Sequence, residues 1–127
     1  MKYMHFKRHY EENLSTYIEP GKVLVIFGPR QVGKTTLVQR FLQSTKWKYR
    51  FDTGDNIKTQ RPFEARDLDA LLAYAEGYDL LVLDEAQRIP HVGLGLKLLV
   101  DHRPDLRIIV TGSSSGVSIF GVAVMSG

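Results

Sequence analysis

Gly28-Pro29-Arg30-Gln31-Val32-Gly33-Lys34-Thr35-Thr36-Leu37 stands directly after Val23-Leu24-Val25-Ile26-Phe27. The five apolar residues are rich in β-branched side chains and read as a strand buried on both faces, as in a parallel sheet. From Lys34 to Ser44, Leu37, Val38, Phe41 and Leu42 share one face at helical spacing, which predicts three turns of amphipathic helix. Between strand and helix lies Gly-x-x-x-x-Gly-Lys-Thr, the phosphate-loop pattern. Its glycines let the chain curl until successive backbone N–H groups point into one concavity. The positive end of the following helix adds to that field, so a polyphosphate is held at the helix N-terminus. Gly28, Pro29, Arg30, Gln31, Val32, Gly33, Lys34, Thr35 and Thr36 are therefore expected to cradle a nucleotide's phosphates. Lys34 would reach the β- and γ-phosphates, and the Thr35 hydroxyl would ligate a Mg²⁺ ion that keeps most of its waters. A chance match is the competing explanation, and the buried strand before and amphipathic helix after argue against it.

The alternation of strand and helix continues along the chain. Lys48–Phe51 reads as a short strand ending at Asp52, and residues 53–62, polar and carrying Gly54, Asp55, Asn56 and Pro62, read as a loop. Ala65–Glu76 carries Leu68, Leu71, Leu72 and Ala75 on one helical face, and Leu80–Leu83 is another buried strand. Gly93–His102 predicts a helix weakened by Gly93 and Gly95, with Leu96, Leu99 and Val100 facing inward; Leu106–Val110 predicts a last strand. Upstream, Tyr10, Leu14, Tyr17 and Ile18 predict a short helix from Lys7 to Ile18, stopped at Pro20-Gly21. Strands separated by helical segments mean βαβ units. The expected fold is α/β, a three-layer phosphate-loop NTPase with a mostly parallel sheet. The chain divides into an N-terminal helix in 1–20, a phosphate-binding core in 21–114 and an uncharged tail in 115–127.

A chain of 127 residues is one domain at most, and its 43% hydrophobic and 24% charged residues are ordinary for a globular protein. It has no cysteine, which excludes disulfides and thiolate metal sites. The N-terminus lacks the apolar stretch of a signal peptide, and there is no apolar run of membrane-spanning length, so the expected location is cytoplasmic. The net charge of +3 is unevenly spread: Lys22, Arg30, Lys34, Arg40, Lys46, Lys48 and Arg50 fall between Glu19 and Asp52 with no acid among them. This is either a solvated basic face or a field for polyphosphate or nucleic acid, with Trp47 and Tyr49 available for stacking. His5, His9, His91 and His102 lack metal-ligand spacing.

Two further motifs bear on chemistry. Leu80-Leu81-Val82-Leu83-Asp84-Glu85 ends a strand in two acids. Asp84 would orient Mg²⁺ through its water shell, and Glu85 would polarise a water for in-line attack on the γ-phosphate. Ile108-Ile109-Val110-Thr111-Gly112-Ser113-Ser114 ends a strand in hydroxyls, and Thr111 or Ser113 could hold the attacking water or the γ-phosphate; a simple Gly/Ser turn is the plainer alternative.

Together these motifs resemble a large bacterial and archaeal family of AAA+-like ATPases. That family reads Gly-Pro-Arg-x-Val-Gly-Lys-Thr-Thr, Leu-Asp-Glu-x-Gln and Thr-Gly-Ser-Ser where this sequence has Gly28–Thr36, Leu83-Asp84-Glu85-Ala86-Gln87 and Thr111–Ser114. The resemblance covers about residues 7 to 114. It implies ATP and Mg²⁺ as cofactors, a sensor strand lying between the two motif strands, and roles for Lys34, Thr35, Asp84 and Glu85 as above. It leaves the role of Gln87 open. Members run on for hundreds of residues, whereas here an atypical uncharged stretch from Ser115 to Gly127 follows; the resemblance thus implies that 21–114 is a partial AAA+-like ATP-binding core with its sheet incomplete at the C-terminal side, and a truncated reading frame is the expectation. Such ATPases commonly rely on an arginine finger, so turnover by this chain alone is expected to be slow. The rival functions are a nucleotide-binding remnant without turnover, a small-molecule kinase, and a nucleic-acid-binding module. A GTPase is excluded by the missing Asp-x-x-Gly and Asn-Lys-x-Asp motifs. Expected partners are ATP, a second copy or a missing C-terminal domain, and no membrane. The tail is not expected to form a fifth strand. A parallel crossover needs about a dozen residues, and an antiparallel return beside a central sensor strand is blocked.

Overall fold

A computed structural model describes residues 14–29, 33–113 and 121–126. A 3₁₀ turn at Leu14–Tyr17 leads into β1 (Lys22–Gly28), followed by α1 (Lys34–Leu42), β2 (Tyr49–Thr53), α2 (Ile57–Glu64) and α3 (Leu68–Ala75). Then come β3 (Leu80–Asp84), a 3₁₀ turn at Ala86–Arg88, α4 (Val92–His102), β4 (Arg107–Ser113) and β5 (Gly121–Ser126). The sheet order is β2-β3-β4-β1-β5. The first four strands are parallel, and β4 lies between β1 and β3 as the motifs implied.

Continuous apolar strands form here because both faces are covered. Leu81 and Leu83 of β3, with Ile108 and Val110 of β4, pack on one side with Phe63, Leu71, Tyr74 and Leu99 from α2, α3 and α4. Leu80, Val82 and Ile109 point to the other side, where Leu37, Val38 and Leu42 of α1 meet Leu14, Ile18, Leu24 and Ile26. The period of two thus divides each strand between two cores. Of the helix expected over 7–18, only the 3₁₀ turn and Ile18 fall within the described residues.

Two expectations are corrected. Residues 57–62, read as loop, belong to α2. The Asn56 side chain caps it by accepting from Lys58 N (2.9 Å), and Thr59 and Phe63 are buried beneath it. The helix is short enough that Pro62 removes only one donor, and the buried Phe63 anchors it. Phe63 packs against α4 where Gly95 leaves room: a Cβ there would sit 2.3 Å from the ring. Gly95, which looked like a weakness in a helix, is a packing requirement.

The second correction concerns the tail. Gly121–Ser126 does form a fifth strand, antiparallel to β1, with Val23 opposite Met125 and Phe27 opposite Gly121. The reason lies in the register. Gly28 pairs with Ser113, so β1 and β4 end side by side. β4 and β5 flank β1, so the end of one and the start of the other lie two strand spacings apart, about 10 Å. An antiparallel return of this kind needs no crossover helix. The open edges are therefore β2 and β5, and the outer side of β1 is covered.

Candidate functional site

The carboxyl ends of β1, β3 and β4 meet at one rim of the sheet, where open α/β sheets form their ligand crevices. β1 delivers the chain into the loop before α1. Arg30, Gln31 and Val32 lie outside the described residues; Gly28, Pro29 and Gly33–Thr36 are within them. Gly33 is the N-cap of α1 in the left-handed region (φ 75°, ψ 32°), a conformation that favours glycine, and no side chain caps the helix. With glycine there, the cap itself offers no side-chain acceptor, and the start of α1 suits an anion. Lys34 is buried, and its Nζ donates to Pro29 O (2.7 Å) and Gly28 O (3.2 Å), so the ammonium sits inside the curl of the loop.

Forty-nine residues beyond Thr35, Asp84 ends β3. The Thr35 hydroxyl donates to Asp84 Oδ1 at 2.9 Å, joining the start of α1 to the end of β3. The Thr111 hydroxyl, buried on β4, donates to the same oxygen at 2.6 Å and accepts from Glu85 N at 3.0 Å. Its donor is committed to Asp84, so Thr111 braces the two acids. Glu85 has φ 53°, the left-handed region, which costs a non-glycine residue about 1–3 kcal/mol. Arg66 and His91 share that conformation. The Glu85 carboxylate is held at both oxygens: Gln87 Nε2 donates to Oε1 at 2.7 Å, and the Ser113 hydroxyl donates to Oε2 at 3.2 Å. Gln87 is the residue whose place the sequence left open. Ser114 lies outside the described residues.

The basic and aromatic residues around Trp47 gather elsewhere, toward the opposite ends of the strands and the β2 edge. The Arg107 guanidinium covers the Trp47 ring at 4.3 Å. Arg50 pairs with Asp52 at 2.7 Å and lies over Tyr74 at 4.0 Å. The Tyr74 hydroxyl also donates to Asp52, and burial, reinforced by that hydrogen bond, pushes its phenol well above the usual range. Among the described residues no group of three or more His, Cys, Asp or Glu side chains is gathered for a metal. No helix there is long and apolar enough to cross a membrane.

A family model described as an AAA domain matches residues 20–122, from the approach to β1 into β5. This chain belongs to the AAA domain family. It is thus a member of the AAA+-like ATPases that its motifs resemble. The AAA domain is 35% identical over 112 residues to an uncharacterized protein of Mycobacterium tuberculosis, covering 86% of this chain and 24% of that protein. It is 32% identical over 90 residues to the Holliday junction branch migration complex subunit RuvB of Rhodospirillum centenum, covering 65% of this chain and 24% of that protein. The AAA domain therefore spans about a quarter of the length of these relatives. In fold it is similar to the crystal structure of a DNA replication initiation factor, with a TM-score of 0.52 at 18% identity over 87% of this chain and 36% of the other.

Proposed function

We propose that this AAA domain binds ATP with Mg²⁺ at the rim formed by Gly28–Thr36, Asp84, Glu85, Thr111 and Ser113, and hydrolyses it. The observation that carries the reading is the Thr35–Asp84 contact at 2.9 Å, which sets a hydroxyl and a carboxylate side by side at the N-terminal end of α1. The donor set fits the metal. Mg²⁺ is held by one or two protein oxygens completed by substrate phosphates and waters, not by a protein cage. A metal held by Thr35 and Asp84 would supply positive charge to offset that developing on the phosphates.

The chain's own groups have separable tasks. The N–H groups at the start of α1 orient the phosphates, and the Lys34 ammonium exchanges its loop carbonyls for phosphate oxygens. Thr35 and Asp84 would hold the metal, with Asp84 acting through its water shell. Thr111 fixes Asp84 and the Glu85 backbone. Glu85 accepts a hydrogen bond from the attacking water and aligns it with the γ-phosphate; Ser113 and Gln87 set the direction of its carboxylate.

Calorimetric titration of ATP with Mg²⁺ into the wild type and Lys34→Ala tests the binding step. The expected result is heat in the first and none in the second. Equal affinity in both would overturn the proposal.

A further inference from the structure

The turn after β2 is packed against the backbone of Glu85, and no motif singles it out. Gly54 is buried, and its N–H donates to Asp84 O at 2.7 Å, continuing the β2–β3 ladder one residue beyond the Thr53–Asp84 pair. A Cβ on Gly54 would lie 2.3 Å from Glu85 O and 3.1 Å from Glu85 C and Ile89 Cγ1. Gly54 is not among the residues with positive φ, so its backbone suits any residue and space alone requires glycine. From the other side, Gln60 Nε2 of α2 donates to Gly54 O at 2.6 Å and presses the turn into place. Asp55 of the same turn pairs with Arg88 at 3.4 Å, just beyond Gln87.

Glu85 is therefore gripped from both flanks. Thr111 on β4 accepts its N–H, and Gly54 beyond β2 walls in its C=O. A left-handed residue cannot relax when both of its peptide groups are fixed, and that is what such a strained φ needs in order to persist. We infer that Gly54, seated by Gln60, is a positioning residue that holds the Glu85 backbone so that its carboxylate faces the phosphate loop. The inference rests on the proposed role of Glu85. It adds that the edge strand and α2, which contribute no side chain to the site, determine its geometry.

The test compares Gly54→Ala with Gly95→Ala, which inserts a Cβ at the same 2.3 Å against the Phe63 ring in the core between α2 and α4. In ¹H–¹⁵N spectra of the full chain, the probes are the Glu85 backbone amide and the Gln87 side-chain amide, which bond Thr111 and the Glu85 carboxylate. Gly54→Ala should shift both, and Gly95→Ala should lower the melting temperature while leaving both in place. Under saturating ATP, Gly54→Ala should lower turnover by about 10²-fold, the cost of misplacing a reacting group by about 1 Å, with the Kd for ATP unchanged. If Gly54→Ala does not fold, Gln60→Ala, which removes only the seat of the turn, must shift the same two resonances. Unshifted Glu85 and Gln87 signals in the folded variant would overturn the inference. So would loss of turnover in Glu85→Gln with full turnover in Gly54→Ala. Retained turnover in Glu85→Gln would instead remove the role of Glu85 while leaving the resonance test of Gly54 to stand by itself.

Discussion

Thr111 shows what a single hydroxyl holds together at this rim. It donates to Asp84 and accepts from Glu85 while buried. Thr111→Val keeps the shape and removes both bonds, leaving the part-buried Glu85 N–H without its acceptor at a cost of about 1 kcal/mol. The expected outcome is an unfolding free energy in urea lowered by that order together with weakened ATP hydrolysis; an unchanged unfolding free energy would mean the N–H finds another acceptor. Glu85→Gln is the complement. It should leave ATP binding intact and abolish turnover, measured as phosphate release, because the amide cannot serve as the acceptor for the water proton. The residues of this site were legible in the sequence to the extent that their chemistry is fixed by local spacing. Lys34 and Thr35 follow from the loop, and Asp84 and Glu85 from the strand end. That Thr111 would turn toward the acids was not legible, because its rotamer is decided by a carboxylate 27 residues away. The place of Gln87 depends on the 3₁₀ turn and the left-handed Glu85, neither of which leaves a periodic signal.

Among the elements, strands with unbroken apolar runs and helices with one apolar stripe were readable, since burial alone dictates both patterns. α2 was not. It carries two buried residues in eight, and the polar turn formers that begin it are also its cap. β5 escaped for a different reason: its pairing is a matter of topology. Nothing in Gly121–Ser126 names β1 as partner, and the antiparallel return becomes available only because β4 lies beside β1. Val122 packs toward the core beneath α1, while Val124 and Met125 are exposed. Val122→Lys should therefore detach β5. Hydrogen exchange would then show lost protection at the β5 amides and at the β1 amides that pair with them, with β3 and β4 unaffected. Protection retained in β5 would mean that backbone pairing suffices without the side chain.

At the scale of the whole molecule, stability should depend on alkaline pH through one phenol. Tyr74 is buried and donates to Asp52, so its folded-state pKa is raised above that of the unfolded chain. A raised pKa means that its contribution is complete below the unfolded value of about 10 and is lost as pH rises toward the folded one. Wild type should lose stability above about pH 10 more steeply than Tyr74→Phe. At neutral pH the variant should be weaker by about 1.5–3 kcal/mol, the contribution of a hydrogen bond to a charged acceptor. Urea unfolding at a series of pH values checks both, and parallel curves would show that Tyr74 ionises as freely folded as unfolded.

The sheet order also sets a schedule for a chain emerging from the ribosome. β1 is the first strand made, yet its two neighbours are β4 and β5, the last two. About 80 residues separate the end of β1 from the start of β4, which at about 5–20 residues per second amounts to about 4–16 s of synthesis. Throughout that interval Val23, Leu24 and Ile26 have no sheet to join. β2 and β3 can pair with each other, but β3 meets β1 only through β4. The nascent chain therefore carries this apolar strand unpartnered until β4 is made. The arrival of Arg107–Ser113 closes the nucleotide rim and ends the period in which a chaperone has something to hold.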